Sequence, residues 1–590
     1  MITITLDGAQ LTVSPTQTLL QIAKQHQTDI PSLCGDNTSA PKTPCDLCVV
    51  EIAGLGIRRA CETPPEAGMV ITTQSDVLRA HRQQALGRIL SDHYADCEAP
   101  CQRACPAGVD IQSYLHHIAM GEHEAAMAVI KQTLPMPLSI GRVCPAFCEA
   151  ECRRALVDEP LAIRQLKRHA ADLDLAEVAP YQPAKKPAKG KRVAIIGSGP
   201  GGLTCGYYLG YEGFEVDLFE AMPKAGGWLR YGIPEYRLPK AILDQEIDLM
   251  CQSGMRIHPQ QRLGHQITLS ALCRDYDAVC LAVGASKAVP MDYPGSTLAG
   301  CYLGVDYLKD RMLTKRLTTG KRVAVIGGGN TAIDCARTVV RLGAETTLIY
   351  RRTRAEMPAE AYEIDEAEHE GVRFLMLTNP VENLADEAGR VCQVRLEKMA
   401  LGEPDASGRR RPEPTGEFFL EEFNTVIAAV SQQPDLSFME GEPLTLPFTR
   451  WQTLESHPET MHSGHCNLFA IGDLRRGPAT AIEAVADGRK AALAIDQFLH
   501  GDMIDPVRPF NACKAPTLKQ VDPAQFAHLK KVARTIMPHL AEQDREGSFA
   551  EVERGLSDAD ARSEASRCLE CGCQANTDCA LRDYATEYKV

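Results

Sequence analysis

Val193-Ala-Ile-Ile-Gly197-Ser198-Gly199-Pro200-Gly201-Gly202 decides how this chain must be read. The apolar run at its start has the length and branching of a buried strand. Glycines at 197, 199 and 202 then make a tight turn into an apolar helix. A second strand, Val216-Asp-Leu-Phe-Glu220, ends in an acid where a ribose 2′-hydroxyl would need an acceptor. The free N–H groups of a helix start suit a pyrophosphate. The segment therefore reads as a βαβ dinucleotide site with Gly197, Ser198, Gly199, Pro200, Gly202 and Glu220 as contacts.

The same design recurs at Val323-Ala-Val-Ile-Gly327-Gly328-Gly329-Asn330-Thr331-Ala332, with Gly327, Gly329, Asn330 and Thr331 as expected contacts. Its second strand runs Leu348-Ile-Tyr-Arg351-Arg352 and carries no acid. An acid there would select NAD, whereas guanidinium forks match a 2′-phosphate. The alternative is that both arginines form a solvated strand end. The pattern favours NADP(H) at this second turn.

Working outward, Pro180-Tyr-Gln-Pro-Ala-Lys-Lys-Pro-Ala-Lys-Gly190 reads as a linker ahead of the first turn. A chain of 590 residues needs several cores. The expected divisions are 1–80, a helical segment 81–178, a first nucleotide domain in two parts (190–300 and 461–505), the second nucleotide domain 301–460 between them, and a helical extension 506–590. A net charge of −14 without a basic stripe argues against nucleic acid. No apolar run is long enough to span a bilayer, and Met1-Ile-Thr-Ile-Thr-Leu6 alternates like a strand instead of a signal peptide. The expectation is a cytoplasmic protein.

Of the 23 cysteines, 14 fall in three tight groups, and in a reducing compartment such groups mean metal. Cys34, Cys45, Cys48 and Cys61, spaced C-x10-C-x2-C-x12-C, are what a [2Fe–2S] cluster needs. Zinc also takes four thiolates, but spacing and context favour iron. The second group is Cys97, Cys101 and Cys105-Pro, then Cys144-Pro, Cys148 and Cys152. Cys-Pro turns on helices suit [4Fe–4S] clusters, against a structural zinc site as the alternative. Cys568, Cys571, Cys573 and Cys579 near the C-terminus could hold a further cluster, bind zinc, or lend a ligand to the second group. The nine scattered cysteines, Cys513 among them, read as small core residues.

Three resemblances extend this reading. Ser32-Leu-Cys34, Cys45-Asp-Leu-Cys48-Val-Val-Glu-Ile and Ala60-Cys61-Glu-Thr-Pro resemble the N-terminal ferredoxin domain of the complex I large iron–sulfur subunit and of related formate dehydrogenases and hydrogenases. Residues 95–500 resemble the glutamate synthase small subunit and the N-terminal half of dihydropyrimidine dehydrogenase, through the second cysteine group, both glycine turns and Gly226-Gly227-Trp-Leu229-Arg-Tyr-Gly-Ile-Pro-Glu-Tyr-Arg237. Asn467-Leu-Phe-Ala-Ile-Gly472-Asp473 resembles the second FAD signature of disulfide-reductase-like flavoproteins. That likeness implies FAD on the first nucleotide domain, with Gly472 and Asp473 at the ribityl chain and Gly227, Leu229 and Arg237 as further contacts.

The second cysteine group departs from these relatives twice, and Ser431 stands where the family often has a glycine. Tyr94 stands where an additional cysteine is expected, and Lys167 stands where a Glu or Gln ligand is expected. His93 precedes Cys97 at the His-x3-Cys spacing of the complex I-like proteins, which makes it a candidate substitute ligand. The expected fold is α/β multidomain: a β-grasp ferredoxin, a helical cluster domain, two Rossmann-like domains and a helical Cys-rich tail. The expected activity is an NAD(P)H-dependent flavin iron–sulfur oxidoreductase with no side chain as general acid or base. Such a chain would serve a formate dehydrogenase-like or hydrogenase-like partner subunit. The alternative is a glutamate synthase small subunit.

Overall fold

Alternation in Ile2–Leu6 buries Ile4 and Leu6 while their neighbours face outward, and Asp7-Gly8, both at positive φ, turn the chain into Ala9–Val13. Primed turns of this kind match the twist of antiparallel strands. The computed structural model describes residues 1–34, 44–93, 95–315, 319–404, 410–501, 508–575 and 577–590. It divides into two compact units: Met1–Arg103 with Pro506–Ala527 and Leu569–Val590, and Ala104–Asp505 with His528–Cys568.

The first unit holds a five-stranded mixed sheet in the order Ala9–Val13, Ile2–Leu6, Val70–Thr72, Val49–Ile52, Gly56–Arg59. Helix Leu19–Gln25 starts at a Thr18–Gln21 capping box and packs Leu19, Leu20 and Ile22 against Ile4, Val50 and Ile71. The fully buried Arg82, on helix Asp76–Asp92, donates to the carbonyls of Leu47, Val49 and Thr73 and to the Tyr588 hydroxyl. One guanidinium thereby satisfies three otherwise buried acceptors.

The second unit contains two parallel five-stranded sheets. The first runs Leu468–Ala470, Ala278–Leu281, Arg192–Ile196, Glu215–Phe219, Arg256–His258. The second runs Cys301–Leu303, Thr425–Ala428, Arg322–Ile326, Glu345–Tyr350, Arg373–Met376. Both read as continuous apolar strands because helices cover parallel sheets on both faces. An antiparallel sheet, Thr378–Ala385, Val391–Pro404 and Arg410–Glu422, follows the second. Helices Ile111–Met120, His123–Lys131, Pro137–Val143 and Ile163–Ala176 form the helical part of the unit. Glu246, buried on helix Lys240–Cys251, accepts the backbone N–H groups of Leu138 and Ser139 at the start of Pro137–Val143.

The tail departs from the expected helical extension. Among its described residues, α-helix is confined to Asp558–Ala565 and Ala580–Tyr588, and single 3₁₀ turns interrupt extended chain elsewhere. Prolines at 509, 516, 523 and 538 remove donors and clash with a preceding turn, which breaks any helix there.

Candidate nucleotide sites and metal centres

Strand Arg192–Ile196 and helix Pro200–Tyr211 hold the first glycine turn between them. Gly197 sits at φ 107°, and a Cβ there would lie 2.3 Å from the Ala282 carbonyl oxygen. Gly199 has open space where its Cβ would be. A turn closed behind and open in front is the shape a pyrophosphate needs. Glu220, directly after strand Glu215–Phe219, accepts from the Ser198 N–H and hydroxyl through one oxygen and from the Met222 N–H through the other. Gly227, at φ 50°, passes so close that a Cβ would lie 2.7 Å from the Gly199 Cα, and Gly226 donates to the Ser198 carbonyl. Leu229 is buried behind them. Gly472 donates to Asp487, and Asp473 accepts from the Ala479 N–H at 3.2 Å. Burial pushes the Asp473 carboxyl up to about 7, against the pull of that N–H and of Arg476. A desolvated acceptor with one donor fits a ribityl chain, whose hydroxyls would supply more.

Arg237 goes elsewhere. Its guanidinium lies 2.9 Å from Asp334 and 2.8 Å from Glu363. These carboxylates belong to a buried network in which Arg337 and Arg341 meet Glu370, and Arg545 meets Glu366 at 2.7 Å. The Tyr236 ring lies under both arginines, 4.8 Å from Arg337 and 4.2 Å from Arg341.

The second glycine turn repeats the first, with Gly327 at φ 140° against the Ala429 carbonyl. A loop folds over it: Ala359 donates to the Gly328 carbonyl, and Glu360 donates to the exposed Asn330 side chain at 3.1 Å. Thr331 follows, half-buried, in helix Asn330–Arg341. Arg351 is exposed and has no side-chain partner among the described residues, whereas Arg352 donates to the Arg410 carbonyl at 2.8 Å. Arg410, exposed at the start of its strand, adds a third guanidinium that spacing along the chain does not reveal.

The four thiols of the first cysteine group converge in the first unit. Cys34 and Cys45 lie 3.3 Å apart, and the residues between Cys34 and Pro44 are outside the described set. Burial and the neighbouring Cys48 push the Cys61 thiol up to about 12. A metal would replace those protons, since thiolates are the ligands. In the same unit Asp96 and Gly572 form a bridge, Cys573 donates its N–H to the Asp96 carbonyl, and Ala512 donates to the Cys97 sulfur at 3.3 Å. Tail and second-group cysteines are thus brought together, and Ala512, the residue before Cys513, pairs its backbone with Cys97. Cys101 and Cys579 lie in this unit too. His93 donates from Nδ1 to the Ala95 carbonyl at 3.1 Å. Tyr94 lies outside the described residues.

Cys105, Cys144, Cys148 and Cys152 belong to the second unit, as does Cys568. Burial raises the Cys148 thiol well above its ordinary range; Lys167 pulls against it, while Cys144 and Cys105 push the same way as burial. Lys167 is itself buried, a lysine near the Cys148 thiol at the position where a Glu or Gln ligand is expected. Burial raises the Cys152 thiol too, against the opposing pull of the Leu161 and Arg154 N–H groups and of the Arg567 charge.

With this geometry in place, comparison with known proteins is direct. The model described as "pyridine nucleotide-disulphide oxidoreductase" matches residues 191–488. The chain belongs to this family. A "dihydropyrimidine dehydrogenase domain II, 4Fe-4S cluster" model matches residues 84–178, and a "2Fe-2S iron-sulfur cluster binding domain" model matches residues 1–76. An NADPH-Fe(3+) oxidoreductase subunit beta of Geobacter sulfurreducens is 38% identical over 80% of this chain and 75% of its own. An NADP(+)-dependent formate dehydrogenase subunit beta of Moorella thermoacetica is 40% identical over 80% of this chain and 70% of its own. A glutamate synthase [NADPH] small chain of Azospirillum brasilense is 33% identical over 70% and 89%. This pyridine nucleotide-disulphide oxidoreductase is therefore an NAD(P)H-dependent flavin iron–sulfur electron-transfer protein with FAD, [2Fe–2S] and [4Fe–4S] centres, as the motifs imply. Among the described residues, no helix is long and apolar enough to cross a membrane.

Proposed function

We propose that this chain is the NADP(H)-linked flavin subunit of a larger cytoplasmic oxidoreductase, exchanging electrons with a partner subunit of the formate dehydrogenase or hydrogenase class. The observation that carries this reading is the joining of a ferredoxin-type sheet and its four converging thiols to the two-nucleotide body. Relatives named as NADP-linked beta subunits cover more of the chain than the glutamate synthase small chain does.

In this account Gly197–Gly202 cradle the FAD pyrophosphate, Glu220 leaves Ser198 to take the ribose, and Asp473 takes the ribityl hydroxyls. Gly327, Gly329 and Thr331 hold the NADP pyrophosphate, and Arg351, Arg352 and Arg410 surround its 2′-phosphate. When bound, FAD accepts a hydride's two electrons and iron–sulfur centres carry them onward singly. The protein's own work is binding and orientation. Arg237 keeps the loop after Gly227 fixed against helix Asn330–Arg341, so that the two nucleotide turns hold their places. Cys34, Cys45, Cys48 and Cys61 make one cluster site. Cys97, Cys101 and His93 with tail thiols Cys571 and Cys573 make another, and Cys105, Cys144, Cys148 and Cys152 a third.

Anaerobic affinity purification from the native cell tests the partner. Co-purification of a molybdenum- or nickel-containing subunit is expected. Recovery of a large amidotransferase instead would establish the glutamate synthase alternative.

A further inference from the structure

The helical part of the second unit contains a set of donors that neither the nucleotide turns nor the cysteines use. His123 opens helix His123–Lys131, His169 lies within Ile163–Ala176, and Asp558 opens Asp558–Ala565. One ligand atom from each lies within 4.8 Å of the others. His123 Nε2 is 3.4 Å from Asp558 Oδ1, and His169 Nε2 is 3.6 Å from the same oxygen. Ligands about 2.0–2.1 Å from a tetrahedral ion stand about 3.4 Å apart, so these separations match a shared metal.

His169 is only 5% exposed, and its Nδ1 faces the Leu556 carbonyl at 3.2 Å. A carbonyl oxygen accepts, so Nδ1 holds the proton and Nε2 the lone pair. That Nε2 is buried with no hydrogen-bond partner. A ring fixed by a backbone carbonyl through one nitrogen, with the other bare, is the arrangement metal-ligating histidines adopt. Burial also pushes the His169 pKa down, with the Leu556 carbonyl and Asp558 opposing it, which favours the neutral ring. A simple imidazolium–carboxylate pair would need the opposite protonation. His123 Nδ1 is likewise buried without a partner. The two Asp558 oxygens divide their work: Oδ2 accepts from Arg562 Nε at 2.8 Å, leaving Oδ1 to the imidazoles. The side chains of His123 and Asp558 are 29% and 46% exposed, so a metal and a water have access.

We propose that His123, His169 and Asp558 bind a single divalent cation of the zinc class, with water completing a tetrahedral site. Two imidazoles and one carboxylate suit Zn²⁺ and differ in kind from the thiolate sets, which take iron. The ion would clasp helix Asp558–Ala565 to the helices carrying His123 and His169, outside the electron path.

The test uses the holoprotein with flavin and clusters in place, equilibrated anaerobically with ZnCl₂ and desalted. Zinc content and zinc-edge X-ray absorption are then measured. Expected is one zinc per chain with a nitrogen/oxygen shell, imidazole outer-shell scattering and no sulfur. His169→Ala and Asp558→Asn should each weaken zinc retention by more than about tenfold while iron and flavin contents hold. Asp558 is surface-exposed, so its variant keeps the test valid should His169→Ala misfold. A sulfur shell, no retained zinc, or full retention in Asp558→Asn would overturn the site.

Discussion

Replacing Arg351 and Arg352 together by alanine should weaken NADPH binding at least tenfold and leave NADH nearly unaffected. Each lost charge-assisted contact is worth roughly 1.5–3 kcal/mol. Arg410→Ala should show a smaller loss in the same direction. Equal losses for both nucleotides in steady-state kinetics would remove the 2′-phosphate assignment. At Asp473 the prediction concerns pH. In the flavin-free protein its carboxyl ionises at about 7 instead of the ordinary 3.8. Below that value it holds a proton, which it must release to accept ribityl hydroxyls. FAD affinity of the deflavinated protein should therefore fall as pH drops below about 7, by up to tenfold per unit. Asp473→Asn should bind weakly at every pH with a flat profile; a flat wild-type profile would contradict this role. The glycine turns were legible because a strand, fixed glycines and a following helix recur at set spacings. Arg410 was not, because only the antiparallel sheet brings it beside Arg352.

Among the elements, the clearest lesson is Arg237, whose motif suggests a cofactor contact and whose surroundings are carboxylates from helices Asn330–Arg341 and Ala361–His369. Arg237→Met leaves Asp334 and Glu363 buried and underpaired, a change that costs roughly 3–5 kcal/mol. Thermal or denaturant unfolding should show that loss while the FAD dissociation constant of the remaining folded protein stays within about threefold of wild type, a change of under 1 kcal/mol. A large loss of FAD affinity with unchanged stability would restore the cofactor role. Short elements explain most of what the sequence concealed. Gly56–Arg59 and Val70–Thr72 are four and three residues long and gain their strand character by pairing, the first with Val49–Ile52 and the second with both Ile2–Leu6 and Val49–Ile52. Prolines at 509, 516, 523 and 538 break the helical extension expected over 506–590, leaving α-helix at Asp558–Ala565 and Ala580–Tyr588 among the described residues.

Across the whole molecule, hydride chemistry belongs to the nucleotide body and electron relay to the cysteine sets. Replacing Cys45 or Cys48 by serine should remove the [2Fe–2S] iron, leave NADPH-to-dye reduction within about twofold of wild type, and sharply reduce delivery to the natural partner, since cofactor chemistry remains on the flavin side. Dye reduction falling in step, with flavin retained, would break that division. Which thiols combine could not be read from spacing, because Asp96, Ala512 and Cys573 meet through contacts spanning more than four hundred residues. His93→Ala should damage one [4Fe–4S] signal in low-temperature spin resonance, whereas unchanged spectra would give its place to a tail thiol or Cys513. NADPH electrons should enter through the flavin and leave through iron–sulfur centres. An anaerobic NADPH titration followed by visible absorption and spin resonance tests that directly. Flavin bleaching together with reduced-cluster signals is expected, whereas a flavin that stays oxidised, or clusters that stay silent beside a reduced flavin, would rule this route out.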